Sequence, residues 1–105
     1  MSLRSVIVGT GSYLPEKCIT NDELSEHLET SHEWIVERTG ICARHIAAKG
    51  ELTSDLATIA AKRALEAANC SPQDVDMIIL ATATPDHTFP ATATRVQANL
   101  GISKG

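Results

Sequence analysis

The run from Asp55 to Asn69 constrains this chain more than any other. At helical spacing its inner face is Leu56, Ala60, Ala64 and Ala67, broadened by Ile59 and Ala68, with Lys62, Arg63 and Glu66 left to solvent. Alanine is the strongest helix former, and a face of methyl groups lets a helix lie very close to its neighbour. Thr53 or Ser54 is placed to cap this helix, and Ser71-Pro72 to end it. The segment that follows, Val75 to Ala83, is almost continuously apolar, as expected of an interior parallel strand covered on both faces. A small-faced helix leading into such a strand predicts a layered α/β architecture.

Leu3 to Val8 reads as a further strand, halted by Gly9-Thr10-Gly11, where two glycines permit a tight turn or a close backbone approach. Leu14 stands where a dinucleotide fingerprint needs its third glycine, so that motif is absent. Cys42 to Ala48 alternates like a partly exposed strand or extended arm. Thr84 to Pro90 forms a loop at the carboxyl end of the apolar strand, the usual side for ligands in open α/β sheets. A last helix starts after Pro90 and runs through Val96 and Leu100 to Gly101. Two parallel strands and an alanine-faced helix would leave sheet edges and a second face uncovered, so part of a larger architecture is expected.

Between these parts lies a helical excursion. Thr20 and Glu23 form a capping box, starting a helix with Leu24 and Leu28 on one face that ends near Glu29. Thr30 and Glu33 repeat the pattern and start a second helix, with Gly40 as its terminating glycine. That helix carries the only tryptophan, Trp34, four residues before Arg38. Residues four apart on a helix share a face, so indole and guanidinium form a surface able to stack on a heterocycle and pair with a phosphate. The same spacing also suits a tryptophan packed on a core beside a solvated arginine.

The 105 residues amount to at most one small domain, and 43% hydrophobic content makes it globular. A net charge of −4 without a Lys/Arg stripe argues against a nucleic-acid partner. Cys18, Cys42 and Cys70 are an odd set without a C-x-x-C pair, fitting neither zinc binding nor a disulfide framework, and read as small buried thiols in a reducing, cytoplasmic setting. Cys18 is expected in a loop. The amino-terminal apolar run is too short for a signal peptide or membrane span. His27 and His32 read as surface residues and His45 as part of the arm, while His87 shares a loop with Asp86 and Phe89; no spacing proposes a metal site.

Several segments coincide with one family. Gly9 to Pro15, Thr20-Asn21, Thr30 to Ile41, Arg44 to Ala47, Ala81 to Thr84 and Phe89-Pro90 resemble the amino-terminal portion of β-ketoacyl-[acyl-carrier-protein] synthase III, across essentially the whole chain. The resemblance implies a partial thiolase-type α-β-α-β-α sandwich, incomplete within its amino-terminal half. Residues 1–105 would be the first part of that half, with a coenzyme A-binding excursion at about 20–40. It implies a homodimer that condenses acetyl-coenzyme A with malonyl-acyl carrier protein, with decarboxylation, to acetoacetyl-acyl carrier protein. Coenzyme A would be a thioester substrate, with no prosthetic group. Relatives that use other starter acyl groups share the same motifs.

By the same resemblance, Trp34 matches the tryptophan that stacks on the adenine. Arg38 matches the arginine on the opposite side of that nucleotide, also near its phosphates. Thr30 matches a threonine near the adenine. Phe89 matches a phenylalanine that crosses the dimer interface and lines the partner's acyl pocket. Cys42 and Ala43 depart from an arginine-glutamate pair usual before Arg44-His45, which alters a local ion pair. The family's Cys-His-Asn catalytic set has no matching position here. The 105 residues alone are therefore expected to be inactive, and a non-catalytic module that binds coenzyme A or dimerises is the alternative.

Overall fold

The computed structural model describes residues 2–104. They divide into two compact units: Leu14–Gly50, and the remainder, through Tyr13 and from Glu51 onward.

The Leu14–Gly50 unit holds the helical excursion on a small hairpin-like sheet. Strand β1 (Lys17–Thr20) pairs antiparallel with β2 (Ala43–Ile46), Lys17 opposite Ile46 and Thr20 opposite Ala43. Between them run α1 (Asn21–Ser25) and α2 (His32–Thr39). The expected capping box forms, since Glu23 N–H donates to Thr20 Oγ1 at 3.2 Å and the Glu23 carboxylate accepts from Thr20 N–H at 3.4 Å. Helix α1 is shorter than its apolar spacing suggested, and Leu28 lies beyond it, exposed. The arm at 42–48 is confirmed as β2, whereas β1 corrects the expectation of a loop at Cys18. Cys18 and Cys42 are also exposed, not buried, because a two-stranded ribbon has no second layer to cover them.

The other unit is built on α3 (Thr53–Ala68) and α4 (Thr92–Leu100), with a 3-10 turn at Pro72–Asp74. Helix α3 starts two residues before its expected first residue. Leu52 is its N-cap position, and the Asp55 carboxylate accepts from Leu52 N–H at 2.8 Å, so neither Thr53 nor Ser54 serves as the cap. Asn69 ends it in the left-handed region at φ 52°. Val96 on α4 and Ile102 beyond it are buried, as are Ser54 and Thr58 on α3. Thr58 Oγ1 donates to Ser54 O at 2.7 Å and accepts from Asn99 Nδ2 at 3.1 Å, joining the helices by a buried polar bridge.

The alanine face does what its size predicts. Gly9 and Gly11 lie directly on it: a Cβ on Gly9 would fall 2.7 Å from Ala64 O, and one on Gly11 would fall 2.5 Å from Ala60 O. Neither glycine has a positive φ, so the close approach, not a turn, is what demands them here. Ala67 is the exception on that face and is exposed.

The two expected parallel strands do not form. Residues 3–8 and 75–83 have no ladder partner among the described residues, and Leu3, Ile7, Met77 and Ile79 stand exposed, Ile79 at 86%. Apolar segments become strands only when another backbone meets their N–H and C=O groups. The described residues thus form a mixed α/β architecture.

Candidate functional site

Two places gather the residues of interest, one in each unit. The first is α2. Ser31, not Thr30, caps it: its Oγ accepts from Trp34 N–H at 3.1 Å. Thr30 has the right side chain one position too early, and its own Oγ1 is shielded from solvent without a hydrogen-bond partner. At the far end Gly40 takes φ 70° and its N–H donates to Val36 O at 2.8 Å, closing the helix as expected. Ile35 is the buried anchor.

Trp34 lies on the neighbouring face, 51% exposed, and the Arg38 guanidinium carbon sits 4.3 Å from its ring centroid. The sequence spacing therefore does unite these groups, as a cation–π pair worth about 0.5–1 kcal/mol at an exposed position. A base between them would need two stacking contacts of about 3.5 Å each, or about 7 Å in all. At 4.3 Å there is no such gap.

Beneath α2 lies a residue that pattern reading did not single out. Asn21 is wholly buried. Its Nδ2 donates to Ile41 O at 2.7 Å and lies 3.2 Å from His32 Nδ1, while its Oδ1 accepts from Arg44 Nη2 at 2.6 Å. These partners fix the amide orientation, so His32 Nδ1 is the acceptor and its ring proton sits on Nε2. His32 is thus half-buried in a network, not a free surface residue. Arg44 has no carboxylate partner among the described residues, and its Nη1 is unpaired. His45 Nδ1 donates to Pro15 O at 2.6 Å, tying β2 to the entry of β1.

The second place is the loop at 84–91, which is latched at both ends. Thr53 Oγ1 donates to Thr84 O at 2.5 Å, Ser54 N–H donates to Asp86 Oδ1 at 2.9 Å, and Asp86 N–H donates to Thr92 Oγ1 at 3.1 Å. Asp86 therefore serves the first turn of α3 from outside the helix. Hydrogen bonding from Ser54 holds its carboxyl below the ordinary 3.8, helped by the charges of His87 and Arg95 and opposed by partial desolvation. Its position in a loop between two helix starts was the available sequence signal. Phe89 projects from this loop, 87% exposed. A cavity of about 290 Å³ at its base is lined by Leu52, Asp86, His87, Pro90, Thr92 and Arg95.

Among the described residues no group of three or more His, Cys, Asp or Glu is placed to hold a metal, and no helix is long and apolar enough to cross a membrane.

No family model matches the chain. Individual proteins do. Over all 105 residues it is 65% identical to the β-ketoacyl-[acyl-carrier-protein] synthase III of Hyphomonas neptunium, of which it spans 32%. A crystal structure of 3-oxoacyl-[acyl-carrier-protein] synthase III from Aquifex aeolicus superposes with TM-score 0.85 at 52% identity, covering 92% of this chain and 31% of that one. The priming β-ketosynthase of the R1128 polyketide pathway superposes with TM-score 0.85 at 32% identity, covering 92% of this chain and 29% of that one. The chain thus spans about a third of the length of the proteins it matches.

Proposed function

From its homology in sequence and structure to β-ketoacyl-[acyl-carrier-protein] synthase III, within the thiolase-like condensing enzymes, we propose that this chain is the coenzyme A-recognition part of such an enzyme. The whole protein would be a homodimer catalysing a decarboxylating Claisen condensation, with acetyl-coenzyme A and malonyl-acyl carrier protein as substrates and acetoacetyl-acyl carrier protein as product. Identity of 65% along the full chain is the observation that carries the reading.

The chain's own residues would contribute binding, not bond-making. Trp34 offers an exposed indole face for the adenine, where a stacked base is worth about 1–3 kcal/mol. Arg38, backing the same indole, supplies positive charge for the phosphates and leaves the outer face open. Thr30 stands beside the start of α2, and its unpaired hydroxyl, shielded from solvent, would reach the nucleotide only after turning outward. Phe89, held out on a latched loop, is suited to bury its ring against a second subunit and close that subunit's acyl pocket. The reaction needs a nucleophilic cysteine with groups that polarise the thioester and the malonyl carboxylate. None of the three cysteines matches that nucleophile, so the 105 residues alone should release no carbon dioxide above blank from malonyl-acyl carrier protein and acetyl-coenzyme A.

Replacing Trp34 by alanine should weaken coenzyme A binding by about 1–3 kcal/mol, read by titration calorimetry. An unchanged dissociation constant removes the assignment. A second reading, a condensing enzyme with another starter group, draws support from the match to the R1128 priming ketosynthase. Loading the full-length protein with acyl-coenzyme A of graded lengths and weighing the adduct separates the two.

A further inference from the structure

We infer that Asn21 is the positioning residue for the nucleotide-binding face of α2, an assignment that rests on the proposed role of Trp34 and Arg38. Its amide is wholly buried and its hydrogen bonds span the Leu14–Gly50 unit. One N–H goes to the carbonyl of Ile41, just past the helix exit, and the other to His32, the first residue of the helix. The oxygen takes the Arg44 guanidinium from β2, and the main-chain N–H donates to Cys42 O at 3.0 Å. One side chain therefore holds both ends of an eight-residue helix against the ribbon.

Helix α2 has little else of its own to fix it. Ile35 is its one buried residue, and one buried side chain leaves the helix free to roll about that point. Roll is the motion that would matter for ligand binding, because Trp34 and Arg38 lie on one side and swing together. Two tethers at opposite ends of the helix remove that freedom. An aspartate at position 21 would keep an acceptor for Arg44 and nearly the same volume, yet would lose both donors to α2 and set a carboxylate oxygen against the Ile41 carbonyl.

The test uses the single tryptophan as its own reporter. Asn21→Asp should red-shift or broaden Trp34 emission, lower its steady-state anisotropy, and raise the dissociation constant for coenzyme A at least about tenfold, since two buried hydrogen bonds are lost. The control is Ser25→Ala, which removes the 2.7 Å bond from Ser25 Oγ to Asn21 O within α1 and leaves all three side-chain hydrogen bonds of Asn21 in place. It should lower the melting temperature while leaving Trp34 emission and coenzyme A affinity unchanged. Unaltered Trp34 anisotropy in folded Asn21→Asp overturns the assignment, as does an equal spectroscopic change in Ser25→Ala. Should Asn21→Asp fail to fold, His32→Leu carries the same test, since it cuts only the tether at the helix start. It should loosen Trp34 in the same sense, and an unmoved anisotropy counts against the proposal. If the parent chain binds no coenzyme A, the functional reading falls, while the anisotropy arm still decides the role of Asn21.

Discussion

Adding one methyl group at Gly11 should damage this chain far more than its size suggests. The new Cβ would lie 2.5 Å from Ala60 O, about 0.9 Å short of the 3.4 Å at which ordinary contact begins, and it would also meet Ala64 N. Both obstacles are main-chain atoms of α3, so no side chain can rotate away. Either α3 or the 9–11 segment must shift by nearly an ångström. Overpacking of this kind costs about 1–3 kcal/mol, and a rigid obstacle puts Gly11→Ala at the upper end. Alanine also restricts the unfolded chain, which returns about 0.4–1 kcal/mol. The net loss is about 2 kcal/mol, or roughly 8–16 °C in melting temperature for a domain of this size. Thermal denaturation followed by circular dichroism reads it directly. Removing the Ala60 methyl in the same background should rescue nothing, because the clash is with that residue's carbonyl oxygen. A loss below about 0.5 kcal/mol, the range of neutral surface changes, would refute the close-approach explanation.

Gly40→Ala should cost about 1–2 kcal/mol for a different reason, since its Cβ would meet nothing within 4 Å but its φ of 70° is left-handed; a denaturant titration with no shift in midpoint would contradict it. Asp86 has its folded pKa below the ordinary 3.8, so its stabilising contribution is complete above that value and is lost as pH falls through the lower folded one. Asp86→Asn keeps an acceptor for Ser54 N–H but cannot titrate. The stability difference between parent and variant should shrink as the pH falls from 5 through values below 3.8, and a difference constant to pH 2.5 would rule this out.

Local signals in the sequence were reliable wherever local chemistry decides. Thr20 with Glu23, and Gly40, specified one helix start and one helix end because capping is satisfied within a few residues. The Thr30 assignment failed by one position, since Ser31 offers the same hydroxyl chemistry. The alanine face of α3 was legible as a close-packing surface, although only the folded chain reveals that Gly9 and Gly11 cover it. Strand formation at 3–8 and 75–83 was not decided locally, because a ladder needs another backbone that apolar pattern cannot supply. At the candidate site, spacing united Trp34 with Arg38. It could not reveal Asn21, whose partners lie 11, 20 and 23 residues away.

The latching of the Phe89 loop has a mechanical consequence. Because Asp86 joins the opening turn of α3 to the opening residue of α4, this stretch is a lever with a fixed fulcrum, not a slack tether. Force applied at the ring of Phe89 would be delivered to the leading ends of two helices at once. A contact at the surface would thus be registered in the interior without any long-range rearrangement.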